Sequence, residues 1–239
     1  MKFPSPLLRG TLTKRYKRFL ADIVLDDGTE ITASCPNTGS MMGLSSPGLS
    51  VWVSTSDSKT RKYKHTLELV EVPDMVSGQP VYVGINTGHP NKLVCEAIED
   101  KRIAKLRGYA TLKREQKYGQ NSRIDILLSD EAKGLCYVEI KNVHLLRKPN
   151  LVEFPDSVTA RGAKHLDELG DMVEAGHRAV MLFLVQRGDA KRFSLADDID
   201  PNYAEAFDRA KARGVEILVY ACDVSPEEIR VGSTLRLVG

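Results

Sequence analysis

The chain has 239 residues, room for one large domain or two small ones, and its 42% hydrophobic and 28% charged content is that of an ordinary globular protein. That composition excludes a wholly disordered chain, a collagen or a coiled coil, and no apolar run reaches the length of a membrane span. The net charge is only +2, so its distribution says more than its sum, and the lack of a long apolar run at the N-terminus gives the expectation of a cytoplasmic protein.

The first 80 or so residues read as β. Phe19–Leu25 is apolar and partly alternating, Asp26-Asp27-Gly28 is a hairpin signal, and Glu30–Ala33 follows. Cys35-Pro36-Asn37-Thr38-Gly39-Ser40 reads as a loop, Leu49–Thr55 as a β-branched run with the only tryptophan, and His65–Val72 as an alternating strand. Short strands without a convincing helix suggest a small barrel of OB-like size over residues 1–82. Residues 83–239 read as a mixed α/β domain. A helix is expected over 91–106, then strands over 108–116, 122–129 and 135–145, a helix over 158–175 and a buried strand over 178–185. A last helix over 201–213 stops at Gly214, and Val215–Tyr220 forms another strand. The β-branched character of that run argues against a helix-turn-helix at the C-terminus.

Charge is segregated. Lys14, Arg15, Lys17 and Arg18 surround Tyr16, and Arg61, Lys62 and Lys64 surround Tyr63, whereas the acids gather after residue 166. Lysine and arginine neutralise phosphates and aromatic rings stack on bases, so these runs suit nucleic acid. They would also suit solvated strand ends and turns.

The chemistry concentrates in two adjacent strands. Glu139 and Lys141 share one face of their strand, roughly 7 Å apart along it. Asp125 lies near the start of the preceding strand, where a hairpin would bring it to Glu139. Two converging carboxylates suit a hard cation such as Mg2+ or Mn2+. Such an ion polarises a scissile phosphate and acidifies a bound water, and a neighbouring lysine orients that water or stabilises negative charge. Glu96, on the preceding helix, is the chosen additional ligand, with Glu115 as the alternative. Arg161 and Lys164 open the helix after the strands, where its N-terminal N–H groups could hold a phosphate. His165 on that helix could relay a proton or serve the packing. The other histidines lack metal-ligand spacing, the cysteines form no CxxC pair, and no phosphate-binding glycine loop occurs.

The order helix, three strands, helix, strand around Asp125, Glu139 and Lys141 resembles the PD-(D/E)xK nuclease-like superfamily, although Ile124 stands where the motif has proline. A closer resemblance rests on Cys35-Pro36-Asn37-Thr38-Gly39-Ser40-Met41, Arg61-Lys62-Tyr63-Lys64-His65-Thr66, Tyr118-Gly119 with Ser122-Arg123-Ile124-Asp125, Tyr137-Val138-Glu139-Ile140-Lys141-Asn142-Val143, and Phe154-Pro155-Asp156 with Val158-Thr159 and Arg161-Gly162. These motifs span nearly the whole chain and resemble the sugar fermentation stimulation protein A (SfsA) family. The resemblance implies an N-terminal OB-like barrel, a C-terminal nuclease-like α/β domain and sequence-independent DNA binding. It also implies a role in regulating sugar (maltose) metabolism genes. Two functional expectations follow: a Mg2+- or Mn2+-dependent DNA nuclease, or a non-catalytic DNA-binding regulator with a vestigial site. Oligosaccharide binding by the barrel has less support, since the lysine-rich edges fit phosphate better than sugar. No membrane partner is expected, and the oligomeric state is left open, a homodimer included.

Overall fold

The computed structural model describes residues 1–119 and 121–238. The N-terminal half consists of β1 (Leu8–Tyr16), β2 (Leu20–Leu25), β3 (Glu30–Ser34), β4 (Ser50–Thr55), β5 (His65–Pro73) and β6 (Pro80–Gly84). Antiparallel pairings run β3-β2-β1-β4-β5-β6, and a parallel pairing of β3 with β5 at Ala33–His65 closes the first five strands into an OB barrel. Strand β1 was not foreseen as a strand; its buried residues are only Gly10 and Leu12, and its second half carries Lys14 and Arg15 between Thr13 and Tyr16. Two register shifts curve the barrel, one at Thr13 in β1 and one at Glu68 in β5. The second turns Glu68 inward, so that Leu67, Glu68 and Leu69 are all buried and the alternation of β5 is broken.

The C-terminal half is built on a six-stranded sheet. Helix α1 (Pro90–Glu99) leads to β7 (Thr111–Tyr118), β8 (Ser122–Asp130) and β9 (Gly134–Val143). The chain continues through β10 (Leu145–Lys148), β11 (Leu151–Phe154), α2 (Ala160–Glu174), β12 (Arg178–Val185), β13 (Arg192–Leu195), α3 (Pro201–Ala212), β14 (Glu216–Val224), β15 (Ile229–Thr234) and β16 (Arg236–Leu237). The sheet order is β15-β14-β12-β9-β8-β7, with β9, β12 and β14 parallel, and β10, β11, β13 and β16 form a separate four-stranded sheet. Alternate residues of β12 feed two cores. Val180, Leu182 and Leu184 pack on the α1 side, and Met181, Phe183 and Val185 on the side of α2 and α3. Because both faces are covered, β12 is a continuous apolar run.

The helix expected over 91–106 is shorter. Lys101 takes a left-handed φ of 59° and the Arg102 N–H turns back to Ala97 O, so α1 stops at Glu99 and only a 3-10 turn at Ala104–Leu106 follows. The expected single strand over 135–145 divides into β9 and β10. The small sheet was missed because its strands run two to four residues and are held by partners distant in sequence.

The two halves meet closely. Gly84 N–H donates to Gln186 O, and a Cβ on Gly84 would lie 2.7 Å from the Gln186 side chain, so that contact requires glycine. Among the described residues no helix is long and apolar enough to cross a membrane.

Candidate functional site

Strands β8 and β9 pair from Asp130–Gly134 to Ile126–Val138, a register that sets Asp125 opposite Glu139. There the strands separate. The Ile140 N–H, instead of joining the ladder, donates to Asp125 Oδ2 at 2.7 Å. Asp125 Oδ1 accepts from Asn91 Nδ2 at 2.9 Å, and the same amide donates to Glu115 Oε1 at 3.0 Å. Asn91 belongs to the first turn of α1, so one amide bridges carboxylates on β7 and β8. Glu115 lies opposite Asp125 across the β7–β8 register and has a left-handed φ of 53°.

Glu139 is 2% exposed. Its Oε1 accepts from Lys141 Nζ at 2.7 Å and is also bound by His165 Nδ1, while its Oε2 is buried without a hydrogen-bond partner. Arg161 Nε donates to His165 Nε2 at 3.3 Å, which assigns the imidazole proton to Nδ1, facing Glu139. His165 lies one helical turn after Arg161 on α2, so the pair shares a face. Two further buried hydroxyls, on Tyr118 and Tyr203, lack partners; burial and then the nearby Glu139 charge raise the pKa of each.

The electrostatics are asymmetric. Burial tends to raise the Glu139 carboxyl, but His165 and Lys141 outweigh it and the net pKa is lowered. Asp125 is pushed up to about 6, first by burial and then by the Glu139 charge. The fork therefore holds a second negative charge reluctantly. A cation would relieve that repulsion and give Glu139 Oε2 a partner, and hard cations prefer such oxygen donors.

The expected residues do not all meet. Asp125, Glu139 and Lys141 come together, and Glu115 reaches them through Asn91. Glu96 is turned away to the Met1 amine at 2.9 Å and Lys92 at 3.9 Å. Among the described residues no three His, Cys, Asp or Glu side chains converge as a ready ligand set. Arg161 is committed to His165, and Lys164 lies 3.5 Å from Glu168.

In the barrel, Arg15 is not free for phosphate: its guanidinium donates to the carbonyls of Arg18, Asn37, Gly39 and Ser40. Tyr16 is half-buried and its hydroxyl donates to Asp22. Arg61 donates to Thr66 at 2.6 Å. Lys14, Lys17, Arg18, Lys62 and Lys64 are exposed, with Lys14 lying over the Tyr16 ring and Lys62 over the Tyr63 ring. A chain of contacts links this edge to the fork. Arg15 holds loop 37–40, the Met41 N–H donates to Asp156 at 3.1 Å, and Thr159 beyond it caps α2, which carries Arg161 and His165.

Sequence reasoning did not single out Asn91 for the site and left His165 undecided. The i, i+4 spacing of Arg161 and His165 was the one available signal; nothing local marked Asn91.

Comparison with known proteins accounts for the whole chain. Residues 88–228 match the model described as the sugar fermentation stimulation protein RE domain, and residues 13–84 match the SfsA N-terminal OB domain. A sugar fermentation stimulation protein homolog of Rhizobium meliloti is 60% identical over 229 residues, covering 96% of this chain and 93% of the relative. One of Agrobacterium fabrum is 56% identical over 237 residues, covering 99% and 97%. A solved structure of Pyrococcus furiosus SfsA in complex with Ca2+ superposes with a TM-score of 0.87 at 26% identity, covering 100% of this chain and 98% of that one. Barrel, sheet and motifs agree with these matches, and the chain belongs to the sugar fermentation stimulation protein (SfsA) family.

Proposed function

We propose that this protein binds DNA without sequence preference along the basic barrel edge and hydrolyses phosphodiester bonds at the β8–β9 fork with Mg2+ or Mn2+. The observation that carries the reading is the Glu139 carboxylate. It is buried, with Oε1 fixed by Lys141 and His165 and Oε2 unpartnered beside Asp125. A buried charge left half satisfied is costly, and an ion there turns that cost into binding.

Asp125 and Glu139 would hold the ion, with Glu115 nearby through Asn91, and water and a substrate phosphate would complete its shell, as Mg2+ commonly requires. When bound, the ion supplies charge neutralisation at the phosphate and an acidified water. Lys141 keeps an ammonium beside the phosphate position, and His165 fixes the orientation of Glu139. The Pyrococcus furiosus relative was solved with Ca2+, another oxygen-preferring cation, which supports a cation site in this family member as well.

Incubating the protein with linear, nicked and single-stranded DNA in Mg2+ or Mn2+ tests the reading. Wild type should cleave at least one substrate, and Asp125→Ala should leave all intact. If wild type leaves every substrate intact, the catalytic half of the proposal is wrong.

A second reading, a DNA-binding regulator that does not cut, is favoured by the lack of three converging ligand side chains among the described residues. A role in sugar-gene regulation would then rest on binding alone. Mn2+ titration separates the two: the nuclease reading expects binding that Glu139→Ala abolishes, and a purely structural Glu139–Lys141–His165 cluster expects none.

A further inference from the structure

The tip of the β1–β2 hairpin combines three features. Tyr16 pairs with Leu20, leaving Lys17, Arg18 and Phe19 as the connection. Lys17 and Arg18 both have left-handed φ values, 50° and 65°, where glycine or asparagine would be less strained. A tight hairpin connection imposes such φ values, and here a lysine and an arginine occupy them. Phe19 is 50% exposed, and among the described residues no other phenylalanine is exposed.

The tip is also held in place. Arg15 Nη2 donates to Arg18 O at 3.0 Å, and the Cys35 N–H donates to Phe19 O at 2.7 Å. The backbone is therefore fixed while the ring and two cations face solvent. Tyr16, by contrast, is half-buried and tied to Asp22, which makes it a poor platform. Through Arg15, the tip joins the loop that leads to Asp156 and α2.

Resting on the nucleic-acid reading above, we propose that Phe19 is a stacking platform for an unpaired base, with Lys17 and Arg18 neutralising the adjoining phosphates. Base faces are hidden inside a closed duplex and available in single strands and frayed ends. The nucleic acid that suits this tip is therefore single-stranded or open-ended.

The test uses fluorescence anisotropy of the full chain with a labelled oligothymidylate of about a dozen nucleotides, and with a labelled duplex whose two ends are each closed by a non-nucleotide linker, so that it offers no unpaired base. Phe19→Ala should weaken oligothymidylate binding about five- to hundredfold and leave the closed duplex unchanged. Its salt slope should stay that of wild type, because no phosphate contact is lost. Phe19→Trp should restore the affinity. Phe19 is exposed, and a thermal melt checks that both variants fold. Equal affinity of Phe19→Ala and wild type for the oligothymidylate overturns the proposal while leaving DNA binding intact. So does an equal loss on both probes. Wild type that binds neither probe overturns the stacking proposal and the nucleic-acid reading together.

Discussion

At the scale of single residues, two carboxylates store opposite electrostatic consequences. Asp125 is charged at neutral pH in a place that disfavours charge, since burial and Glu139 raise its pKa to about 6. Asp125→Asn keeps an acceptor for the Ile140 N–H and removes the repulsion but forfeits the hydrogen bond from Asn91 Nδ2, so in the presence of a chelator it should still stabilise the fold, by about 1 kcal/mol at pH 7. A melting temperature unchanged or lowered by this variant would count against the electrostatic account. Asp156 behaves the other way. Burial alone would raise its pKa, but His144, the Met41 N–H and Ser157 hold it at about 2. His144 Nε2 lies 3.4 Å from Asp156 Oδ2, close enough for an ion pair, although neither ring nitrogen makes an aligned hydrogen bond. The unfolded carboxyl titrates near 3.9, so its stabilisation is complete above that pH and fades as pH falls through about 2. Wild type should lose about 2 kcal/mol over that window relative to Asp156→Asn, as denaturant melts across the acid range would register. If the fork is the proposed cation-dependent nuclease site, His165→Ala, which leaves Glu139 with Lys141 alone, should lower Mn2+ affinity with kcat, whereas His165→Gln, which can still donate, should recover part of both. A packing role alone would move the melting temperature and neither of these.

At the scale of elements, local pattern and remote contact divide what sequence can reveal. The Asp125–Glu139–Lys141 grouping was legible because a short hairpin converts spacing into opposition, and alternation on β9 sets Glu139 and Lys141 on one face. Glu96 was misplaced because helical spacing says nothing about the rotation of α1. The helix turns Asn91 to the fork and Glu96 to the chain's own amine. The length of α1 was misjudged because the left-handed turn at Lys101 carries no glycine to announce it. The basic run 14–18 was read as one binding patch, yet only part of it is free. Arg15 organises the 37–40 loop through its planar fork, which a lysine cannot imitate. Arg15→Lys should therefore destabilise the fold by about 2–3 kcal/mol with little rescue over Arg15→Ala, whereas Lys17→Gln should leave the melting temperature unchanged.

At the scale of the whole molecule, barrel and α/β domain share polar joints as well as apolar contact. Glu68, turned inward by its bulge, accepts from Ser54, Asn86 and His89, with the last two at 2.7 Å. Asn37 donates to Ile85 O, and Met41 reaches Asp156. Such crosslinks predict one calorimetric unfolding transition; two resolved transitions would show that the halves melt independently. The joint at Glu68 also has an evolutionary consequence. His89, held by Glu68, immediately precedes α1, and two residues later Asn91 grips Asp125, so the barrel wall is part of the foundation on which the fork stands. Neither half of this architecture is a cassette: a chimera that grafted a foreign barrel onto residues 88–228 would have to re-cut that joint before its carboxylates could stand where they do now.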